Sequence, residues 1–341
     1  MTKLLIIRFS SIGDIVLTTP LLRAIKLQQP DITIHYLTKK SYSAVLEHNK
    51  NIDKLILLDE SLVSLVKSLK VEKYDYIIDL HKNLRTAIIK SMLCKPSKSF
   101  RKLNWEKFLL VRFKWNKMPE EHIVDRYFQA LECFSVFNDK KGLEYFNGFT
   151  QDIKQLDLWS RLNIPERYVA LVVGGTYATK QIPLIKLQEL VSKIESPVVL
   201  LGGKNDVDIA NQVAQNNPEK VVVAAGLANL NESAQIIKQS LYVVTGDTGL
   251  MHIAAAYEKK IFSVWGNTVP EFGMYPYMPQ HEEFSTLMEV KNLKCRPCSK
   301  LGFSECPQKH FDCMLKQDFS PIYIYDKSLN INHKDGNNDK D

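Results

Sequence analysis

At 341 residues the chain is long for a single hydrophobic core, so two domains are the first expectation. Hydrophobic residues make up 45% and charged residues 24%, an ordinary globular balance, and no apolar run approaches the roughly 20 residues of a membrane span. The net charge of +7 is modest but unevenly placed: Lys82 to Lys117 holds eleven Lys or Arg against Glu106 alone, which leaves the rest slightly acidic. Six cysteines in this length do not make a disulfide framework and suit a reducing compartment. The start, MTKLLIIRFSSIGD, has too short an apolar part and no cleavage site for a signal peptide. It reads as a strand, and a cytoplasmic protein is expected.

In chain order, Leu4 to Arg8 is a buried strand that turns at Ser10-Ser11-Ile12-Gly13-Asp14 into a helix ending near Pro30. Strands follow at Ile32–Leu37, Lys54–Leu58 and Tyr76–Leu80, separated by helical stretches at SYSAVLEHN and ESLVSLVKSLKVEK. The basic segment interleaves its charges with Phe100, Trp105, Phe108, Leu109, Phe113 and Trp115, and Glu121 to Phe134 is an amphipathic helix. The stretch from Asn138 to Pro165 is polar and poorly periodic, so the domain boundary is set at about residue 150. The alternation then restarts: RYVALVVGG, PVVLLGG, KVVVAAG, LYVVTGD and IFSVWGN read as strands with helices between them. From about Asp326 the chain is polar and reads as a disordered tail. Alternating strands and helices imply parallel sheets covered on both faces. Two such sheets in tandem, at 1–150 and 151–325, place a ligand cleft at the carboxyl ends of their strands.

Three turns at such ends carry chemistry. In VVTGDTGLMHIAAA a strand breaks at Thr245-Gly246-Asp247-Thr248-Gly249 and a helix begins, offering free amides and a dipole to an anion. Asp247 or Thr248 can equally serve as an ordinary helix cap. In VVGGTYATKQIP, Gly174, Gly175, Thr176, Thr179 and Lys180 suit a diphosphate, or else form a plain loop with a solvated lysine. On the first turn, Asp14 can face the cleft and take a proton from a hydroxyl, or can be a first-turn residue favoured by the helix dipole. Neither GxGxxG nor GxxxxGK[ST] occurs, which argues against a standard dinucleotide fingerprint and a Walker-type nucleotidase.

RFSSIGDIVLTTPLLRAIK, YDYIIDLHKNLRTAII, VVGGTYATKQIP and VVTGDTGLMHIAAA, in this order and spacing, resemble the bacterial heptosyltransferases that build the inner core of lipopolysaccharide. The resemblance spans roughly residues 3 to 300. It implies a GT-B fold of two Rossmann-like domains, with a nucleotide sugar, typically ADP-heptose, on the C-terminal domain and a lipid-linked saccharide acceptor on the N-terminal domain. Carried over by residue, Asp14 matches the catalytic base, and Lys180 and Thr176 match donor-phosphate contacts. Asp247, Thr248, Gly249 and His252 match the donor-binding block. Asp206 falls near an acidic ribose ligand, with Asp208 as its rival. The acceptor is expected near Ser11, Gly13, Arg85, Arg101 and Lys102. The reaction expected is inverting displacement, with no cofactor or metal required because a lysine and helix amides can meet the leaving charge.

The basic segment then suits a phosphorylated acceptor at the cytoplasmic surface of the inner membrane, against the readings of a solvated basic face or nucleic-acid binding, for which no motif is present. Cys295, Cys298, Cys306 and Cys313, with His310, resemble a structural zinc site lacking one close pair; packed thiols or a loose disulfide are the other readings. Two further functions stand beside glycosyl transfer. One is a GT-B nucleotide-sugar 2-epimerase, which does not need the basic aromatic segment. The other is a non-catalytic module binding anionic lipid or nucleic acid.

Overall fold

The computed structural model describes residues 2–58, 61–149 and 157–335. Its first sheet contains β1 (Lys3–Ile7), β2 (Thr33–Lys39), β3 (Lys54–Leu58), β4 (Tyr76–Asp79) and β5 (Ser97–Ser99), in the order β3-β2-β1-β4-β5. The second contains β6 (Val169–Val172), β7 (Val198–Leu201), β8 (Val221–Val223), β9 (Val243–Gly246), β10 (Ile261–Trp265) and β11 (Ser285–Glu289), in the order β11-β10-β9-β6-β7-β8. All these pairings are parallel. Central strands such as LLII and VVLL are buried on both faces, which is why they read as unbroken apolar runs rather than alternating ones. Each sheet has the doubly wound order, so this is the GT-B arrangement of two Rossmann-like domains.

That order fixes where a ligand goes. In the first sheet the winding reverses between β1 and β4, and in the second between β6 and β9. The crevice beyond the carboxyl ends at these reversals is the binding position of open α/β sheets. The turns that follow β1, β6 and β9 carry Asp14, Lys180 and Asp247.

The two halves meet through those same turns. The helix Ile12–Val16 after β1 abuts the helix Gly249–Ala256 after β9. A Cβ on Gly13 would lie 2.5 Å from His252 Cδ2, and one on Gly249 would lie 2.7 Å from Ile12 Cβ. Only glycine lets the backbones approach this closely. Farther along the interface, the Ile123 amide donates to the Gly273 carbonyl (2.8 Å) and the Tyr145 hydroxyl donates to Asn231 Oδ1 (2.7 Å).

The disordered tail expected from Asp326 is corrected, because a helix runs over Ser320–Asp335. Its Asp326 carboxylate is buried and accepts from the amides of Glu195 (2.6 Å) and Ser196 (3.3 Å) and from the Tyr242 hydroxyl (3.1 Å). Composition misled because one buried acid and Ile322 tie down an otherwise polar segment. Residues 336–341 lie outside the described residues, as does the boundary set at 150, within 150–156. The segment Ser41 to Asn49, expected as a helix, forms a 3-10 turn over Lys40–Val45 instead.

Candidate active site

The Asp14 carboxylate sits at the mouth of the first switch point and is held from two sides. Its Oδ1 pairs with Arg8 Nη2 at 2.6 Å, while Oδ2 accepts from the Ser11 amide (3.1 Å) and hydroxyl (2.8 Å). Burial pushes the carboxyl pKa up, but the Arg8 charge and the two Ser11 bonds outweigh it and hold the group below its ordinary value. Asp14 therefore closes a capping box and also presents an ionised carboxylate with lone pairs left over.

Arg8 is itself nearly buried, with Nε on the Ser10 carbonyl (2.8 Å) and Nη1 on the Leu80 carbonyl. It is a site residue that the sequence reading passed over. The available signal was a cation closing an apolar strand run at the carboxyl end of a central strand.

Across the cleft, Lys180 Nζ pairs with Asp247 Oδ2 at 2.5 Å, and the Thr268 hydroxyl donates to the same oxygen (3.0 Å). Asp247 thus orients the lysine, whose ammonium keeps further N–H donors for another partner. Thr248 caps no amide of the helix Gly249–Ala256; its hydroxyl pairs with that of Thr245 at 3.0 Å. His252, in the first turn of that helix, is buried against Gly13, and its Nδ1 has no partner among the described residues. Burial pushes its pKa down to about 4 despite nearby Asp247 and Asp14, so the ring is neutral at pH 7.

The remaining expected residues are less uniform. Thr176 is exposed on the loop after β6. Asp206 accepts from the Gly203 amide (2.8 Å) and Gln181 Nε2 (3.3 Å) and packs where Cβ atoms on Gly174 and Gly202 would stand. Asp208 is exposed on the next helix. Of the residues expected to meet the acceptor, Ser11 is exposed but committed to Asp14, whereas Gly13 is covered by His252. Arg85 is exposed at the start of the helix Leu84–Leu93, and Arg101 reaches Glu106 at 3.5 Å.

Lys102 donates to the Lys82 carbonyl (2.8 Å), and burial, with Arg8 nearby, lowers its pKa. Lys107 is pushed down to about 8 by burial and the neighbouring Arg126 charge. Arg126 is fully buried; its Nη2 donates to the Phe272 carbonyl (2.8 Å), while Nε and Nη1 lack partners among the described residues. Positive charge therefore lines this half of the cleft around Asp14. The aromatics of the basic segment form an exposed ladder along the helix Asn104–Phe113. Trp105 stacks on Phe108 (centroids 5.4 Å), Phe108 meets Phe113 (5.9 Å) and Phe113 meets Trp115 (5.5 Å).

Among the described residues no group of three or more His, Cys, Asp or Glu is placed to hold a metal ion, so the zinc expectation finds no support in the arrangement of Cys295, Cys298, Cys306 and Cys313. All the described cysteines are free thiols.

Comparison with known proteins agrees with this geometry. The family model for glycosyltransferase family 9 (heptosyltransferase) matches residues 62–302. Lipooligosaccharide heptosyltransferase 2 of Haemophilus influenzae is 24% identical over 328 residues, covering 88% of this chain and 93% of that protein. Among solved structures, the glycosyl transferase family 9 protein from Veillonella parvula superposes with a TM-score of 0.71 at 22% identity, covering 86% of this chain and 88% of that one. The E. coli ADP-heptose lipopolysaccharide heptosyltransferase II gives a TM-score of 0.67 at 18% identity, covering 92% and 98%. Since the family match takes in well over half of its residues, the chain belongs to glycosyltransferase family 9, the heptosyltransferase family, and is a glycosyltransferase.

Proposed function

We propose that this enzyme transfers a heptosyl group from a nucleotide-diphosphate donor, ADP-heptose, to a phosphorylated lipid-linked saccharide of the lipopolysaccharide inner core, inverting the anomeric centre. The observation that carries this reading is the meeting of an ionised Asp14 with the uncapped start of the helix Gly249–Ala256, beside the Lys180–Asp247 pair. The names of its relatives supply the sugar: one is a lipooligosaccharide heptosyltransferase and another an ADP-heptose enzyme.

In this scheme Asp14 accepts the proton of an acceptor hydroxyl as its oxygen attacks the anomeric carbon. The bond from that carbon to the donor phosphate oxygen breaks on the opposite face. Lys180 and the amides of Gly249 and its successors meet the charge that appears on the leaving diphosphate. A neutral His252 adds no charge of its own. An epimerase would have no use for the basic aromatic arm, and a binding module would have no use for Asp14.

Calorimetric titration with ADP, UDP, GDP and CDP tests the donor. ADP should bind tightest, and Lys180→Ala should weaken it about tenfold to a hundredfold, the worth of one charge-assisted hydrogen bond. Equal affinity in the variant removes Lys180 from the donor site, and preference for another base removes ADP-heptose.

On this reading the reaction takes place at the cytoplasmic face of the inner membrane. No helix among the described residues is long and apolar enough to cross a membrane. The support for surface contact is the arm itself, where Trp105 (66% exposed), Phe108 (48%), Phe113 (50%) and Trp115 (62%) stand among exposed Arg101, Arg112 and Lys117. Aromatic rings at headgroup depth beside cations favour an anionic bilayer. Arg101→Gln with Arg112→Gln should reduce the affinity for anionic vesicles about thirtyfold, at roughly 1 kcal/mol per cation, and leave neutral vesicles unaffected. No change would make the arm a solvated face.

A further inference from the structure

The C-terminal cysteines take no part in the transfer chemistry, yet the loop that holds the first two touches both halves of the cleft. On the donor side, Arg296 donates to the carbonyls of Gly266 (2.7 Å) and Thr268 (3.0 Å) and pairs with Glu289 (2.7 Å). The Cys298 amide donates to the Asn267 carbonyl (3.1 Å), and Thr268 in turn holds Asp247. A few residues on, the Phe303 amide donates to the Thr179 hydroxyl (2.8 Å), next to Lys180.

From the acceptor domain, Lys114 at the end of the aromatic helix donates to the carbonyls of Pro297 (2.7 Å), Cys295 (3.2 Å) and Val111 (2.9 Å). All three ammonium hydrogens are used. The loop is therefore a strap between the aromatic arm and the segment that orients Asp247.

Cys295 and Cys298 stand in CxxC spacing on this strap, both half-buried. The Cys298 thiol donates to the Cys295 carbonyl at 3.1 Å, one of the two strap carbonyls that hold Lys114. His310 accepts the Asp312 amide on Nδ1 (2.9 Å) and turns Nε2 toward Cys295 Sγ at 3.9 Å. Burial and the neighbouring Cys295 push the Cys298 thiol up to about 11, which leaves Cys295 as the first attacking sulfur. A disulfide that forms in a reducing compartment is more often transient and redox-sensing than structural.

We propose that Cys295 and Cys298 form a reversible redox pair whose oxidation by a small disulfide releases Lys114 and loosens the strap across the cleft. The Cys295 thiolate attacks one sulfur of the small disulfide and expels one small thiolate. Cys298, after losing its proton to solvent, attacks the Cys295 sulfur and expels the second. Two protein thiols give up two electrons and two protons, and one small disulfide becomes two small thiols. The Cys295 and Pro297 carbonyls belong to the ring this closes, so the acceptors of Lys114 are the groups that bridging reorients.

The test equilibrates the full-length protein in glutathione buffers of graded thiol-to-disulfide ratio, maps the disulfides by peptide mass spectrometry and measures hydrogen exchange in both forms. A Cys295–Cys298 bridge should form, and amide exchange in residues 107–117 and 266–268 should rise about fivefold, as loss of one net hydrogen bond implies. Cys295→Ser and Cys298→Ser proteins should show no such change in the same buffers. The proposal is overturned if no bridge forms, if the bridge joins Cys306 or Cys313 instead, or if exchange is equal in the two forms. Stoichiometric zinc or iron in protein purified without chelator overturns it too, since the thiols would then be ligands. None of these readouts uses a sugar donor, so the result is independent of the donor assignment.

Discussion

Asp14→Asn is expected to lower kcat about a thousandfold, within the range for loss of a positioned general base, while ADP affinity changes less than about twofold. The split follows from where the carboxylate sits. Asp14 is on the N-terminal domain, and its partners are Arg8 and Ser11 rather than anything on the C-terminal domain. Asn keeps the volume and an oxygen for Ser11, and Arg8 keeps the Ser10 and Leu80 carbonyls, so the fold should survive. Single-turnover kinetics with bound donor measure the effect. A kcat within about threefold of the parent would remove Asp14 as the base, since positioned acid–base groups contribute far more.

The pH dependence gives a second handle on the same group. Because Arg8 and Ser11 depress the Asp14 pKa, the carboxylate is still ionised where an ordinary aspartate begins to protonate. On the acid side, kcat/KM should therefore stay flat through about pH 5 and fall only below the usual carboxylate range. Arg8→Met removes the largest lowering influence and leaves the burial that opposes it, so the acid limb should move upward. An unmoved limb would assign the acid titration to another group.

The framework was legible because two-faced burial writes itself into sequence as apolar runs, and the turns after β1, β6 and β9 stood out as breaks in them. Elements that escaped notice are those whose burial is slight. β5 is Ser97–Ser99, a polar edge strand, and β11 is a partly exposed edge strand over Ser285–Glu289. The helix Asn104–Phe113 was hidden because its aromatics stack on one another in the open instead of facing a core. In the candidate site, Asp14, Ser11, Lys180 and Asp247 were visible by type and turn position, but Arg8, Thr268 and the pairings among these residues were not. Arg8 meets Asp14 because a strand end and a helix start fold over each other, and Thr268 reaches Asp247 from a loop 21 residues downstream. Gly13 was misassigned to acceptor contact for a similar reason: spacing does not say that the other domain's His252 covers it.

That covering of Gly13 leads to the other large effect. Gly13→Ala and Gly249→Ala should each lower kcat/KM by about a hundredfold, the cost of an ångström-scale misplacement of reacting groups. The inserted methyl would lie 2.5 Å from His252 Cδ2 in the first case and 2.7 Å from Ile12 Cβ in the second, distances that Cβ atoms do not sustain. Neither glycine has a left-handed backbone, so alanine strains neither helix by itself. Each lies at an interdomain contact rather than inside a sheet, and thermal unfolding of the separate cores should move little. What changes is the approach of the Asp14 turn to the helix Gly249–Ala256. A steric origin also predicts rescue: Ile12→Gly removes the atom that the Gly249→Ala methyl meets, so the double variant should recover much of the lost kcat/KM. Ile12→Gly alone carries the cost of a helix glycine together with the loss of the packing of Ile12 against the core. If the double variant is no better than Gly249→Ala, the contact between the two helices does not set the closed geometry. Full activity in either single alanine variant would mean that the domains react from a wider separation.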